Sequence, residues 1–327
     1  MKFVTFAVDT PLGPLSRVGA LIKDHVVDLA AAYEALLASQ GVFAARDLAE
    51  ATIPSDMREF LGRWPLALNA AKEGLAFCER ASAKASPSGA RLGYGSGEYR
   101  LQVPVRPMRI KDYLTFEEHK RKGFAKLGLK MPEVWYKNPT YTNRNVLGIA
   151  GPDEEIAWPA YTNKFDCEFE IGVVIGRAGR NVSAADSGKY IAGFTIYNDL
   201  SARDTQQEER DAGSGPGKSK DFDQGNVLGP CIVTPDELDP SNIDMILRVD
   251  GEEWSRGNTR EMKFNWGQII EHASREETMF PGDVFASGTM NNGCCLELDR
   301  WFKPGSVIEM EARGIGVLRS RIGLRNA

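Results

Sequence analysis

The residues whose types and spacing could do chemistry lie in three stretches: Glu168-Phe169-Glu170, Asp199, and Asp112 with His119 seven positions after it. Together they supply four carboxylates and one imidazole. A hard divalent cation such as Mg²⁺ takes carboxylate oxygens and keeps positions for water or substrate. A histidine beside it can take a proton from such a water. The chemistry this suggests is metal-assisted hydrolysis of an oxygen-rich small molecule.

Those side chains need elements to position them. The run Cys167-Glu168-Phe169-Glu170-Ile171-Gly172-Val173-Val174-Ile175 reads as a strand. Alternate strand residues share a face, so both carboxylates point the same way, roughly 7 Å apart along the backbone. An acidic strand face in water is the plain alternative. Val174 argues against it, because it continues the same face as an apolar residue, and two buried carboxylates without a cation are costly. Asp199 ends the next strand. An Asp there is ordinarily a helix N-cap, but Ser201 could cap instead and free Asp199. Thr115 with Glu118 fits a capping box, so a helix is expected from about 115, with Asp112 before it and His119 in its second turn. Alone, a helical histidine is a surface residue. Of the other two, His25 falls in a polar turn and His272 near a helix end, where an imidazole faces the dipole.

The 327 residues allow one large domain and a smaller one. Residues 1–100 read as a small N-terminal α/β domain. It has strands at Phe3–Val8, Val18–Ile22 and Val26-Val27, and helical spacing over 29–50 and 54–83. The Gly- and Ser-rich segment 82–100 reads as a linker or long loop. Residues 101–327 form a β-dominated α+β region. Short β-runs are expected at Glu168–Ile175, Ile191–Tyr197, Cys231–Thr234, Met245–Val249, Val284–Ala286, Val307–Met310 and Ile315–Leu318. Helical patterns are few, at about 113–126, 183–190, 200–210 and 265–274. A net charge of −5 without a basic stripe excludes a nucleic-acid or acidic-lipid surface. The five cysteines, odd in number and with Cys294 and Cys295 adjacent, do not read as a disulfide framework. No segment spans a bilayer and none reads as a signal peptide, so a cytoplasmic setting is expected.

Two motifs are set aside. Gly213-Ser214-Gly215-Pro216-Gly217-Lys218-Ser219 imitates a phosphate loop, but Ala212 stands where its first glycine belongs. Cys294-Cys295, in an expected β-run, reads as packing.

Four ordered blocks resemble the fumarylacetoacetate hydrolase family over roughly 105–327. They are the Glu168-x-Glu170 strand; Asn198-Asp199-Leu200-Ser201-Ala202-Arg203-Asp204-Thr205-Gln206; Lys218 to Asp223 leading to Leu228-Gly229-Pro230; and Ser287-Gly288-Thr289 after Pro281-Gly282-Asp283. The resemblance implies mixed β-sheets rolled around a central metal site. It implies Mg²⁺ foremost, or Mn²⁺ or Ca²⁺, on Glu168, Glu170 and Asp199, with Asp112 as a fourth ligand. It implies His119 as the base, Glu297 as the carboxylate that orients it, and Lys220 as the active-site lysine, with Lys218 the alternative. Gln206 and Thr289 match substrate-contacting positions, and Tyr136 and Arg203 join them as candidates; Arg121 and Lys122 are further cations that could hold a carboxylate. The implied activity is hydrolysis of a carbon–carbon bond in a 1,3-diketo acid, such as a fumarylacetoacetate- or acylpyruvate-like substrate, through a metal-stabilised enolate and His-activated water. A decarboxylase, hydratase or isomerase using the same chemistry is the alternative within the family, and a non-catalytic metal-binding member whose site is structural is the alternative of another functional class. A homodimer is implied.

Overall fold

A computed structural model describes residues 1–81, 85–126 and 128–324. Its backbone is a twelve-stranded mixed sheet. Along the main path the strands run Gly93–Tyr94, His25–Asp28, Gly13–Ile22, Lys2–Thr10, Asn226–Val233, Ile191–Asp199, Phe169–Ile175, Val284–Ala286, Ile110–Tyr113 and Tyr141–Arg144. Arg100–Leu101 pairs with the first strand of the chain, and Ile149–Ala150 pairs parallel to Asn226–Val233. A five-stranded sheet, Glu252–Asn258, Asp244–Val249, Val307–Ala312, Gly316–Ile322 and Glu155–Ile156, forms a second layer. The β-dominated α+β class expected from the sequence is what the chain adopts.

Phe169–Ile175 is buried along its whole length, which a strand achieves only when both faces are covered. Its odd face, with Phe169, Ile171 and Val173, packs in one core with Met245, Leu247, Ile308 and Met310 of the five-stranded sheet. Its even face carries Glu170 and Val174. Val174 packs in a second core with Met57, Phe60, Leu61 and Ala70 from the N-terminal helices. The apolar continuation of the acidic face is therefore its buried floor.

The N-terminal strands belong to the same sheet, because Lys2 and Phe3 register with Val233 and Ile232. The sheet thus runs across the 100/101 boundary. Helical spacing over 29–50 resolves into Leu29–Ser39 and Ala45–Thr52, separated at Gly41, whose φ is +80°. That over 54–83 becomes Met57–Gly62 and Leu66–Ala81, with Pro65 between them; its end and the start of the expected linker, 82–84, lie outside the described residues. The rest of the linker is tied down. Gly93–Tyr94 and Arg100–Leu101 are sheet strands, joined because the first strands present unpaired edges.

Four local expectations are corrected. The helix near 115 begins at Glu117, because Thr115 Oγ1 donates to the Ser287 carbonyl instead of capping. His119 therefore sits in the first turn. Ser201 caps nothing: Ser201–Ala202 pairs with Phe165–Asp166, and its hydroxyl donates to the Asp199 carbonyl. The following helix is Arg203–Asp211. The pattern over 183–190 yields a single 3₁₀ turn, Ser187–Tyr190. Cys294 and Cys295 open a short helical turn, Cys295–Leu298, rather than a β-run; both are buried, as packing residues should be.

Candidate active site

Four neighbouring strands bring the acidic residues together. Asp199 registers with Asn226, its N–H donates to the Glu168 carbonyl at 3.1 Å, and Glu170 registers with Tyr197. Val284–Ala286 bridges to the far side, where Ala286 registers with both Gly172 and Asp112. Carboxylate oxygens of Asp112, Glu170 and Asp199 lie within 4.8 Å of one another, all three buried.

Three cations brace this centre. Arg144, two residues past the Thr142 that registers with Asp112, donates to both oxygens of Asp199 at 2.9–3.1 Å and to Asp112 Oδ2 at 2.5 Å. Arg203 spans Asp166 (2.6 Å) and Glu168 (2.7 Å). Lys220 Nζ donates to Glu168 Oε2 and Asp199 Oδ2, each at 2.5 Å, and to the Asp199 carbonyl at 3.2 Å. Glu168 thus turns to the cations and stands outside the three-oxygen cluster. Glu170 takes the N–H of Gly288 at 2.9 Å and the hydroxyl of Thr289 at 3.4 Å. Gly288 sits at φ +81°, and a Cβ there would lie 2.3 Å from the Tyr113 carbonyl, so only glycine lets this turn donate.

The charges do not balance. Counted as fully ionised, five buried carboxylates (Asp112, Asp166, Glu168, Glu170, Asp199) face three buried cations (Arg144, Arg203, Lys220), a formal surplus of two negative charges. Titration reflects this surplus. Burial pushes the Asp112 carboxyl up to about 7, with Asp199 adding to the rise and Arg144 opposing it. Burial, then Asp112 and Asp199, holds Glu170 well above the usual range. Burial also acts on Glu168, but Arg203 and Lys220 outweigh it and keep that carboxyl well below the usual range. Asp112 Oδ1 is buried with no hydrogen-bond partner. Clustered hard oxygens, one unpartnered, with a surplus of two negative charges fit a divalent cation such as Mg²⁺, Mn²⁺ or Ca²⁺.

His119 faces the centre across a cavity of about 290 Å³ that also touches Asp112, Glu168, Arg203, Gln206, Lys220 and Glu297. Its Nδ1 lies 2.8 Å from Glu297 Oε2. Glu297 is held in turn by the Asn292 N–H (3.2 Å) and the Cys294 thiol (3.5 Å). Burial works against its charge, but the hydrogen bond and charge of His119, then these donors, keep its carboxyl below the usual range. With Nδ1 committed to Glu297, Nε2 is the nitrogen left to exchange a proton.

Lys220 lines the cavity, whereas Lys218 lies outside it, donating to the Asp221 carbonyl. Tyr136 does not line it; its hydroxyl donates to Glu117 at 2.8 Å. Thr289 reaches Glu170 rather than the cavity wall. Arg121 pairs with Glu118 at 2.5 Å and is exposed. Sequence reasoning missed Arg144 and Asp166. Arg144 had a faint signal, since Thr142 and Arg144 alternate on a strand beside Asp112; Asp166 had none, because its role is to hold Arg203 and the N–H groups of Cys295 and Leu296.

Residues 109–323 match the family described as fumarylacetoacetate (FAA) hydrolase, C-terminal. The chain belongs to this family. Among relatives, it is 32% identical over 239 residues to a 2,4-didehydro-3-deoxy-L-rhamnonate hydrolase of Sphingomonas sp., covering 71% of this chain and 80% of that one. It is 34% identical over 188 residues to the human mitochondrial oxaloacetate tautomerase FAHD2A, covering 57% of this chain and 59% of that one. A maleylpyruvate hydrolase of Sphingobium sp., solved with manganese(II) and pyruvate, shares the fold, with TM-score 0.69, 21% identity and all of both chains covered.

Proposed function

We propose that this protein is a divalent-metal-dependent hydrolase that cleaves a carbon–carbon bond in a 1,3-diketo acid. The observation that carries the reading is the buried surplus of two negative charges facing the His119–Glu297 pair across one cavity. Asp112, Glu170 and Asp199, with Glu168 behind them, would hold Mg²⁺, Mn²⁺ or Ca²⁺, which supplies Lewis-acid polarisation of substrate oxygens.

The chain's own groups do the rest. Glu297 accepts from Nδ1–H and fixes the imidazole, so His119 Nε2 takes a proton from water. The oxygen of that water bonds to the substrate carbonyl carbon. The carbon–carbon bond then breaks, and its electron pair leaves as an enolate. The enolate carbon gains a proton, so the elements of water are added across the broken bond. Lys220 keeps Glu168 and Asp199 in place and sets a positive charge beside the developing negative one. Gln206 presents its amide nitrogen, because its oxygen is taken by Arg203 and Arg210, each at 2.9 Å.

Tautomerisation of an oxo acid is the second reading, favoured by the relative named oxaloacetate tautomerase; there His119 would move a proton between carbon and oxygen and no carbon–carbon bond would break. A panel of acylpyruvates and oxaloacetate with Mg²⁺ or Mn²⁺, with products identified by mass, tests both. Two acid fragments from an acylpyruvate are expected. Enol–keto exchange of oxaloacetate without any cleavage would replace the first reading by the second. The working unit is proposed to be a homodimer, tested by light scattering. A reducing, cytoplasmic setting is in keeping with five free cysteines, and no helix among the described residues is long and apolar enough to cross a membrane.

A further inference from the structure

The cavity has two ends of opposite character. At its floor every cation is taken: Arg203 by Asp166 and Glu168, Arg144 by Asp112 and Asp199, Lys220 by Glu168 and Asp199. Nearer the mouth, Lys122 is engaged by Asn292 and Glu118, and Lys126 by the Leu296 carbonyl. Lys120 and Arg210 differ. Among the described residues neither has a carboxylate within 4.0 Å. Lys120 Nζ meets only the Phe124 ring, at 5.0 Å from its centroid, and Arg210 meets only the Gln206 oxygen.

These two cations project into the same space from two helices. Arg203, Gln206 and Arg210 recur at helical spacing along one face, and burial falls along it: the first two are buried and Arg210 is exposed. Lys120 is half-buried on the facing Glu117–Lys126 helix. Between floor and mouth the wall is apolar, with Leu114, Phe124, Pro216 and Leu296.

The geometry points to Lys120 and Arg210 as a specificity-determining pair that takes the distal carboxylate of a dicarboxylic 2-oxo acid. The apolar wall suits the short chain between its two ends. Burial, and then the charge of Arg210, holds the Lys120 ammonium below its usual range, a mutual repulsion that an anion between the two would relieve. The inference rests on the proposed reading that the acidic floor holds the oxo-acid end. It also replaces Arg203, Lys122 and Arg121, the cations singled out from sequence, whose charges are engaged within the protein.

Calorimetric titration of the Mn²⁺-loaded protein tests it with three matched pairs: 2-oxoglutarate against 2-oxopentanoate, 2-oxoadipate against 2-oxohexanoate, and 2-oxopimelate against 2-oxoheptanoate. In at least one pair the dicarboxylate should bind about 10- to 100-fold tighter, the range for hydrogen bonds to charged groups. The preference should shrink in high salt. It should fall to about 2-fold or less in the double variant Lys120→Met with Arg210→Leu, while Arg210→Lys retains most of it. Bound manganese should not change in either, and monocarboxylate affinity should change much less than dicarboxylate affinity, because Arg203 still holds the Gln206 oxygen. Equal affinities within all three pairs, a preference that survives in the double variant, or no binding of any of the six acids would overturn the inference. Cleavage is not part of this measurement. A protein that prefers dicarboxylates yet cleaves no 1,3-diketo acid keeps the pair and loses the reaction. One that cleaves acylpyruvates with and without a distal carboxylate equally well keeps the reaction and loses the pair.

Discussion

Two hollows in this molecule are lined with carboxylates and guanidiniums, and they differ in how the charges are settled. The cleft of the N-terminal region, about 500 Å³, is the roomier. In it Arg17 pairs with Asp28, Arg46 with Glu50 and Arg91 with Glu98, and its Asp9 pairs with Arg100 from outside the lining. Glu34 accepts from the Ser88 N–H and hydroxyl, both at 2.9 Å. Four of the five acids there pair with an arginine and the fifth, Glu34, with Ser88, so one formal negative charge is left over against two at the centre. The smaller cavity under His119 leaves two negative charges at its floor and two cations without carboxylates at its mouth. Volume alone would have favoured the N-terminal cleft. A settled cluster holds the fold together, whereas unsettled charge at both ends of a cavity marks a place for a charged ligand.

The sharpest way to break this comparison is to remove one oxygen donor from the unsettled centre. Glu170→Ala should lower bound metal, measured by elemental analysis, and reduce activity by more than about 100-fold, since even a supporting group around a metal can cost that much. Metal content equal to the parent's would remove Glu170 from the binding set.

His119→Ala comes next. Turnover should drop about 10²–10⁴-fold, the range for a positioned acid–base group, while metal content stays at the parent level. A variant that loses its metal would make His119 a ligand instead of a base.

Glu297→Gln gives a smaller effect with a defined pH dependence. The folded carboxyl titrates below its unfolded value of about 4.3, so its charge contributes stability above that pH, and the contribution is lost as pH falls through the lower folded value. Urea denaturation should find the variant weaker by about 1.5–3 kcal/mol at pH 7, with the gap closing below pH 4. A gap independent of pH would mean that Glu297 acts by shape alone.

Arg46→Ala, in the settled cleft, should have the smallest effect. It removes an exposed pair spaced four residues apart on one helix, worth about 0.3–0.5 kcal/mol. The ratio kcat/KM should not change. A tenfold loss of activity would show that the N-terminal cleft is coupled to the centre and that the contrast fails.

Strand alternation and composition decided by themselves that the chain is β-dominated α+β, that Glu170 and Val174 lie on one strand face, and that Asp199 closes the neighbouring strand. Such features are local: a period of two is set by backbone geometry before anything packs. The ordered blocks carried the family and, with it, the pairing of His119 with Glu297 across 178 positions. Other features had no local signal. Thr115 and Ser201 have the composition of helix caps, but Thr115 donates to the distant Ser287 carbonyl, and Ser201 is held in a strand pair with Asp166. Segment 85–100 looks like a linker, yet Gly93–Tyr94 and Arg100–Leu101 complete a sheet whose edges lie far away in sequence. The choice of cations was also tertiary. Arg121, Lys122, Arg203, Lys120 and Arg210 are equivalent as letters. Which of them is neutralised depends on carboxylates brought by other strands and helices, and only folding decides which charges are left facing the cavity.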